Sequence, residues 1–168
     1  KSFHQALGFA AEYQHPCSLR YPRGSFTETT LPESVPFELA KSQLLRSNSS
    51  DVLFVGYGNG VGRAYQTAEL LEVEVNILDL RFVKPLDEEM LKDLSKKHKK
   101  WFIFSDSSKM GGVGSAILEF FSTEKIFDVE LESFEYEDEF ITHGNTKLVE
   151  ESLGLLPKQL ALRVKKRV

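Results

Sequence analysis

From Asp51 onward, short apolar runs alternate with stretches of helical periodicity, and this alternation constrains the fold more than any other feature of the chain. Four apolar runs predict strands, at 52–55, 73–78, 101–104 and 129–134. Between them, apolar residues recur at the three- and four-residue spacing of a helix. The alternation therefore predicts an α/β fold with a parallel or mostly parallel sheet covered by helices on both faces.

Local signals mark where several of these helices begin and end. Asp87 is a good N-cap for the helix that follows it, because its carboxylate can accept hydrogen bonds from free backbone amides. Thr146 is predicted to cap a later helix, which Gly154 ends, and Pro157 is predicted to begin the last helix.

The first part of the chain has a different character. Apolar residues at helical spacing predict an opening helix over about residues 3–10, and Cys17–Tyr21 is a short β-type run. The polar stretch Ser25–Pro36 has the composition of a linker, and Phe37–Arg46 is predicted to form a strand or a hairpin arm. Because Lys1 enters partway through the opening helix, we expect this chain to be part of a longer protein.

Composition excludes several classes of partner. The chain has 21 Lys and Arg against 25 Asp and Glu, which gives no basic field for nucleic acid. The sequence contains no apolar run long enough to span a bilayer, so no membrane partner is expected. Cys17 is the single cysteine, so an internal disulfide is impossible, and a reducing cytosol is favoured.

Two charged runs have an ordinary structural interpretation beside a functional one. Lys96–Lys100 falls where a helix should end, and cations suit the negative end of the helix dipole. We favour that interpretation over a polyanion-binding patch. Glu130–Glu139 is acidic but interrupted by apolar residues, which favours an exposed strand and loop over a cation site.

Two glycine-rich turns follow predicted strands. Glycines at 56, 58, 60 and 62 miss the one–three–six spacing of the dinucleotide fingerprint, although Asp79 lies where a ribose-binding acid would. A flexible strand-to-helix turn is the better interpretation. Gly111–Ser115 opens a helix whose free amides could hold an anion, and tight packing of the turn is the favoured alternative.

The four histidines do not have metal-ligand spacing. His143, which precedes Gly144 and the helix predicted to start at Thr146, is interpreted as a polar turn residue.

Arg20–Gly24, with the sequence Arg-Tyr-Pro-Arg-Gly, is the most informative local feature. Pro22 stiffens the backbone, so Arg20 and Arg23 are presented from a rigid segment. Guanidinium groups bind phosphate through paired donors and stay charged at any working pH. On physical grounds alone, a phosphate clamp and a pair of surface salt bridges are equally favoured.

Four segments together resemble the 1-deoxy-D-xylulose-5-phosphate synthase family of the transketolase superfamily. Their order and spacing agree with that family, and the resemblance covers essentially the whole chain. The segments are Ser18–Gly24, Asp79–Asp87, Met110–Ser115 and Phe140–Gly144.

The resemblance implies two parts in the chain. Residues 1–32 would be the tail of the pyrimidine-binding domain, a helix and a strand, together with a linker. Residues 33–168 would be a transketolase C-terminal domain, a three-layer α/β sandwich with a mostly parallel sheet.

The same resemblance implies a function for the parent enzyme and a small share of it for this chain. The parent would join pyruvate to D-glyceraldehyde 3-phosphate, with loss of carbon dioxide, using thiamine diphosphate and Mg²⁺. It would be a cytoplasmic homodimer, in a bacterial cytosol or plastid stroma, and its product would feed isoprenoid, thiamine and pyridoxal synthesis. Arg23 corresponds to the arginine that binds the acceptor phosphate, and Arg20 is a helper. The diphosphate and Mg²⁺ motif and the catalytic glutamate are absent from this sequence, so we expect it to bind no cofactor and to be inactive alone.

The sequence departs from the family pattern at Ser105–Ser108, where a family acid stands in a different context, and this leaves a role for Asp106 open. Two other interpretations remain. One is the C-terminal domain of another superfamily member, such as transketolase or the β subunit of a 2-oxo-acid dehydrogenase. The other is a non-catalytic α/β interaction module.

Overall fold

A computed structural model describes residues 2–21 and 31–168, except for the side chain of Ser2. Its centre is a five-stranded sheet with the order β1-β3-β2-β4-β5. The strands are β1 Gln43–Arg46, β2 Val52–Gly56, β3 Asn76–Asp79, β4 Lys100–Ser108 and β5 Glu130–Tyr136. β1 is antiparallel to β3, and the other neighbours run parallel. The mostly parallel sheet predicted from the sequence is therefore confirmed.

Six helices occur in the described part of the chain. They are α1 Ser2–Glu12, α2 Asn59–Ala68, α3 Glu88–Lys97, α4 Val113–Glu124, α5 Thr146–Ser152 and α6 Pro157–Lys165. Asp87 is the N-cap of α3, and its carboxylate accepts a hydrogen bond from the amide of Met90, as predicted. Asn145 caps α5 in place of the predicted Thr146, which is the first helical residue.

Two apolar clusters, one on each face of the sheet, make the three layers. Side chains of β2 alternate between them: Phe54 faces the cluster that includes Ala64 of α2 and Leu160 of α6. Leu53 and Val55 face the other cluster, which includes residues of α3 and α4. Burial on both faces explains why the central strands read as continuous apolar runs.

Several strand predictions need correction. The strand predicted at 73–78 begins only at Asn76, as β3. Cys17–Tyr21, predicted as a strand, pairs with no other strand in the described residues, and an isolated segment has no neighbour with which to exchange backbone hydrogen bonds. β1 is limited to the last four residues of the predicted Phe37–Arg46 arm, because its partner β3 is equally short. β4 continues to Ser108, beyond its apolar core, because β5 pairs with it as far as Tyr136.

α1 packs beside this domain. The Nε2 atom of Gln5 donates a hydrogen bond to the carbonyl oxygen of Ser34 at 3.0 Å. The rings of Phe9 and Phe82 meet edge to face with centroids 5.5 Å apart.

Candidate functional site

The carboxyl ends of β2 and β4 meet at the topological switch point of the sheet. α2 leaves β2 toward one face, α4 leaves β4 toward the other, and ligands of open α/β sheets commonly bind in the crevice that results. A cavity of about 80 Å³ lies at this position, and we call it the switch-point cleft. It is lined by Arg20, Tyr21, Tyr57, Gly58, Asn59, Ser105, Asp106 and Ser107.

Two glycines shape the floor of the cleft. A Cβ atom on Gly60 would lie 1.8 Å from the carbonyl oxygen of Phe104, so α2 can start against β4 only with glycine there. Gly58 has a φ of 57° and precedes α2 without a side-chain cap. The run of glycines thus forms a close strand-to-helix turn, as the sequence predicted.

Arg20 lines the switch-point cleft, and its role in binding phosphate stays a prediction. Burial raises the pKa of the Tyr57 hydroxyl, and the positive charge of Arg20 offsets part of that rise. Tyr21 packs against Phe3 of α1, with ring centroids 5.2 Å apart. Arg20, an exposed residue, thus lines the same cleft as Gly58 and Asn59 at the N-terminus of α2, where the helix dipole also favours an anion. Arg23 lies outside the described residues.

Asp106, whose role the sequence left open, forms an ion pair on the other side of the cleft. Its carboxylate accepts a hydrogen bond from Nη2 of Arg63 at 2.8 Å, and the same nitrogen donates to Glu150 at 2.9 Å. The Arg63 side chain is only 8% exposed. Burial raises the pKa of the neighbouring Tyr136 hydroxyl, and the two carboxylates raise it further. Arg63 of α2 thus links Asp106 of β4 to Glu150 of α5.

The Gly111–Ser115 turn is occupied by a carboxylate of the protein itself. Glu135, a buried residue of β5, accepts hydrogen bonds from the amides of Val113 at 2.9 Å and Gly114 at 3.1 Å. A negative charge at the N-terminus of α4 complements the helix dipole. This supports the packing interpretation of the turn over an external anion site.

The two charged runs, Lys96–Lys100 and Glu130–Glu139, occupy the structural positions that the sequence analysis favoured for them. Lys96 and Lys97 are in the last turn of α3, and Lys99 forms an ion pair with Asp128 at 2.6 Å. The acidic run forms the edge strand β5 and an exposed loop. His143 is exposed in that loop.

Neither a metal site nor a membrane span is found in residues 2–21 and 31–168. No three His, Cys, Asp or Glu side chains within these ranges are grouped so that they could hold a metal ion. Every helix there falls short of the length and apolarity needed to cross a bilayer.

Sequence reasoning singled out Arg20, which lines the cleft, but not several of its neighbours. Tyr57 and Asn59 lie in the glycine-rich stretch that follows the buried strand β2. Residues at that position often contact ligands in α/β sheets, so their position could have marked them as candidates. Arg63 and Glu150 gave no signal, because charged residues in helices usually face solvent.

The fold and cleft are those of an α/β domain with a crevice at the switch point of a mostly parallel sheet. The family described as transketolase, C-terminal domain, matches residues 40–160, and this chain belongs to that family.

Similar proteins agree with the family. The chain is 78% identical to the 1-deoxy-D-xylulose-5-phosphate synthase of Sulfurimonas denitrificans, over 98% of this chain and 27% of that protein. It is 55% identical to the synthase of Nitratiruptor sp., over the same shares of each chain. The chain therefore spans about a quarter of the length of these relatives. A solved structure of a split-gene transketolase, an inactive β4 tetramer, superposes with a TM-score of 0.70 over 79% of this chain and 43% of that one. At 24% identity, this likeness concerns the fold alone.

Proposed function

We propose that this chain is the C-terminal part of a thiamine-diphosphate-dependent 1-deoxy-D-xylulose-5-phosphate synthase. The whole enzyme would condense pyruvate with D-glyceraldehyde 3-phosphate, releasing carbon dioxide and forming 1-deoxy-D-xylulose 5-phosphate. The 78% identity to a synthase of that name, over 98% of this chain, carries the proposal. The product would be a precursor of isoprenoids, thiamine and pyridoxal.

The contribution of this chain is to bind the phosphate of the acceptor aldehyde. Arg23 would be the principal ligand, and Arg20 would assist it from the mouth of the switch-point cleft. A guanidinium binds phosphate oxygens through fixed, charge-assisted hydrogen bonds without proton exchange at working pH. Binding energy from a part of the substrate remote from the reacting carbon then helps to orient that carbon.

Thiamine diphosphate would supply the carbanion chemistry of the reaction. The residues of this chain do not fit its metal, because the described ranges offer no group of three candidate metal ligands. The amides at the N-terminus of α4 are hydrogen-bonded to Glu135 and do not fit the diphosphate. We assign cofactor and Mg²⁺ to the remainder of the enzyme, and expect the 168-residue chain to be inactive alone.

Further parts of the proposal concern partners and location. The chain would pack against the rest of its own polypeptide, and a second copy would complete a homodimer. A cytoplasmic location is proposed from the resemblance to the synthases and from the lone cysteine, Cys17.

A turnover assay on the full-length enzyme tests the proposal, with Arg23→Ala and Arg20→Ala compared with wild type. The loss of a charge-assisted contact should raise KM for glyceraldehyde 3-phosphate by roughly ten- to a hundredfold in Arg23→Ala, with a smaller rise in Arg20→Ala. KM for pyruvate should stay within about twofold. Arg46→Ala is the matched control. Arg46 lies on the edge strand β1, where it forms an ion pair with Glu69, and it does not line the cleft.

Two outcomes would contradict the proposal. Absence of product from the wild-type enzyme would point to another thiamine enzyme or to an interaction module. Equal changes in KM for the two substrates would show that the arginines do not bind the acceptor phosphate. Separately, calorimetric titration of thiamine diphosphate and Mg²⁺ into the 168-residue chain should give no saturable heat.

A further inference from the structure

The segment Asp79–Asp87, which follows β3, connects the domain to the residues that precede it. Arg81 is the third residue of this segment, with a side chain that is only 2% exposed. Its Nη2 donates to the hydroxyl of Ser34 at 3.1 Å, and its Nη1 donates to the carbonyl oxygen of Pro36 at 3.3 Å. The guanidinium carbon lies 4.5 Å from the ring centroid of Phe37. One side chain therefore holds three residues of the preceding segment.

Gln43 of β1 extends this contact. Its side-chain oxygen accepts a hydrogen bond from Nη2 of Arg81 and lies 3.4 Å from the amide nitrogen of Val35, which also donates to it. Its side-chain nitrogen donates to the carbonyl oxygen of Glu33 at 3.0 Å. The backbone over residues 33–36 is thus fixed by side chains from β1 and from the turn after β3.

The backbone of Arg81 adopts a conformation that few residues tolerate. Its φ is 57°, in the left-handed region that costs a side chain with a Cβ atom of the order of 1 kcal/mol or more. The amide of Arg81 donates to the carboxylate of Asp79 at 3.2 Å, which holds the turn. The left-handed turn directs the guanidinium toward residues 34–37, and its contacts there offset the cost of the conformation.

Phe82 provides the apolar half of the connection. Its ring meets Phe9 of α1 with centroids 5.5 Å apart, and meets Phe37 with centroids 5.9 Å apart, both edge to face. Such pairs contribute favourably beyond the area they bury. Phe82 therefore packs between α1 and the segment that Arg81 holds.

α1 in turn contacts the residues that line this side of the switch-point cleft. Gln5 binds the carbonyl oxygen of Ser34, whose hydroxyl binds Arg81. Phe3, near the start of α1, packs on Tyr21, the neighbour of Arg20. A continuous set of contacts thus runs from the turn after β3, through α1, to Arg20.

We propose that Arg81 and Phe82 are positioning residues that dock α1 and residues 17–21 on the domain and thereby keep Arg20 over the switch-point cleft. Neither side chain lines the switch-point cleft, although both line an adjoining cavity of about 420 Å³ that shares Arg20, Tyr57 and Asn59 with it. The catalytic consequence of the docking rests on the proposed function, whereas the docking itself does not.

The test uses the full-length enzyme, with any tryptophan and cysteine outside this chain replaced, so that two residues of this chain are the probes. Trp101 is the single tryptophan and is fully buried in the domain. Cys17 is the single cysteine, is exposed, and lies in the segment to be docked. A dansyl group on Cys17 accepts energy from Trp101, and time-resolved fluorescence then reports the distribution of their separation.

Wild type should give one narrow distribution of distances. Arg81→Lys keeps the charge but cannot bridge Ser34 and Pro36, so we expect the narrow distribution to be lost. Phe82→Ala should have the same effect, whereas Phe82→Tyr keeps the ring and should restore the wild-type distribution. Arg46→Lys is the matched control, because Arg46 also lies over an aromatic ring, 4.9 Å from the centroid of Tyr65.

Each outcome decides the proposal. A broad distribution in wild type, or a narrow one in either Arg81→Lys or Phe82→Ala, would overturn it. Loss of the near-ultraviolet circular dichroism of Trp101 in both variants would also overturn it, because the two residues would then support the domain core. A changed distribution with an intact Trp101 signal supports it.

Kinetics of the full-length enzyme test the consequence separately. Arg81→Lys should raise KM for glyceraldehyde 3-phosphate by about tenfold and leave KM for pyruvate unchanged, because positioning is lost without the loss of a ligand. If the wild-type enzyme forms no product while the distance result holds, the proposed function fails and the docking stands. If the enzyme is active and the distance result fails, the docking is refuted and the function stands.

Discussion

The guanidinium of Arg63 donates a hydrogen bond to the carboxylate of Asp106 across 2.8 Å, and so ties α2 to the end of β4 beneath the switch-point cleft. Glu150 of α5 accepts from the same nitrogen at 2.9 Å. Among the described residues, Nη1 of Arg63 has no hydrogen-bond partner, although it is buried. The ion cluster therefore depends on a single, largely desolvated cation.

Arg63→Met should destabilise the domain by about 2–4 kcal/mol, because two carboxylates would face each other without a counter-charge. The cost should stay below that of a fully buried pair, since the side chain of Asp106 is 33% exposed. Urea unfolding followed by the signal of Trp101 measures the change. Arg46→Met removes a more exposed ion pair and should cost about 1 kcal/mol or less. Equal losses in both variants would contradict this account.

Glu135→Gln should destabilise the domain by about 1–3 kcal/mol, because the carboxylate accepts from two amides at the start of α4. The amide of glutamine keeps one acceptor but brings a donor against the N-terminus of the helix. Glu137→Gln is the control, since the side chain of Glu137 is 64% exposed and should matter by about 0.5 kcal/mol or less. Thermal or urea unfolding measures the stability lost in each variant. An equal loss would show that Glu135 does not stabilise the N-terminus of α4.

The central strands could be predicted from the sequence because each is apolar on both faces. Phe54 and Val55, which point to opposite clusters, illustrate why the apolar run is continuous. The antiparallel pairing of β1 could not be predicted, because it depends on a chain reversal that leaves no periodic signal. Cys17–Tyr21 has the composition of a strand but lacks a strand partner in the described residues.

The candidate site was predictable only in part. Arg20 was recognised because a short motif and a family resemblance coincided in one segment. The role of Glu135 could not be read from the sequence, because a carboxylate of β5 caps a helix that starts 22 residues earlier. Likewise, Arg63, Asp106 and Glu150 come from three elements and meet only after the sheet has formed.

Gly60→Ala should cost about 3 kcal/mol or more, because the new methyl carbon would lie 1.8 Å from a backbone oxygen of β4. Relief would require α2 to move away from the sheet and would open the switch-point cleft. Gly8→Ala is the matched control. Nothing lies within 4 Å of a Cβ atom on Gly8, and alanine in a helix interior should stabilise α1 by up to about 1 kcal/mol. A Gly60→Ala protein as stable as wild type would contradict the close approach.

The last prediction concerns Asp79, which ends β3 beside Arg81. Burial raises the pKa of its carboxyl to about 6, and the nearby guanidinium offsets part of that rise. A carboxyl with a raised pKa binds its proton more tightly in the folded state than in the unfolded state. Stability should therefore fall as the pH rises from about 4 to about 6, and remain at the lower level above that window.

Asp79→Asn tests this dependence because asparagine resembles the protonated acid and still offers an oxygen to the amide of Arg81. The variant should gain stability relative to wild type as the pH rises through that window. We expect a relative gain of about 1–3 kcal/mol, moderated by the 18% exposure of the carboxylate side chain. Urea unfolding at pH 4, 5, 6 and 7 measures the difference between the two proteins. Asp93→Asn controls for the loss of one negative charge, because Asp93 is an exposed residue of α3. A constant difference between Asp79→Asn and wild type across this range would mean that folding does not raise the pKa of Asp79.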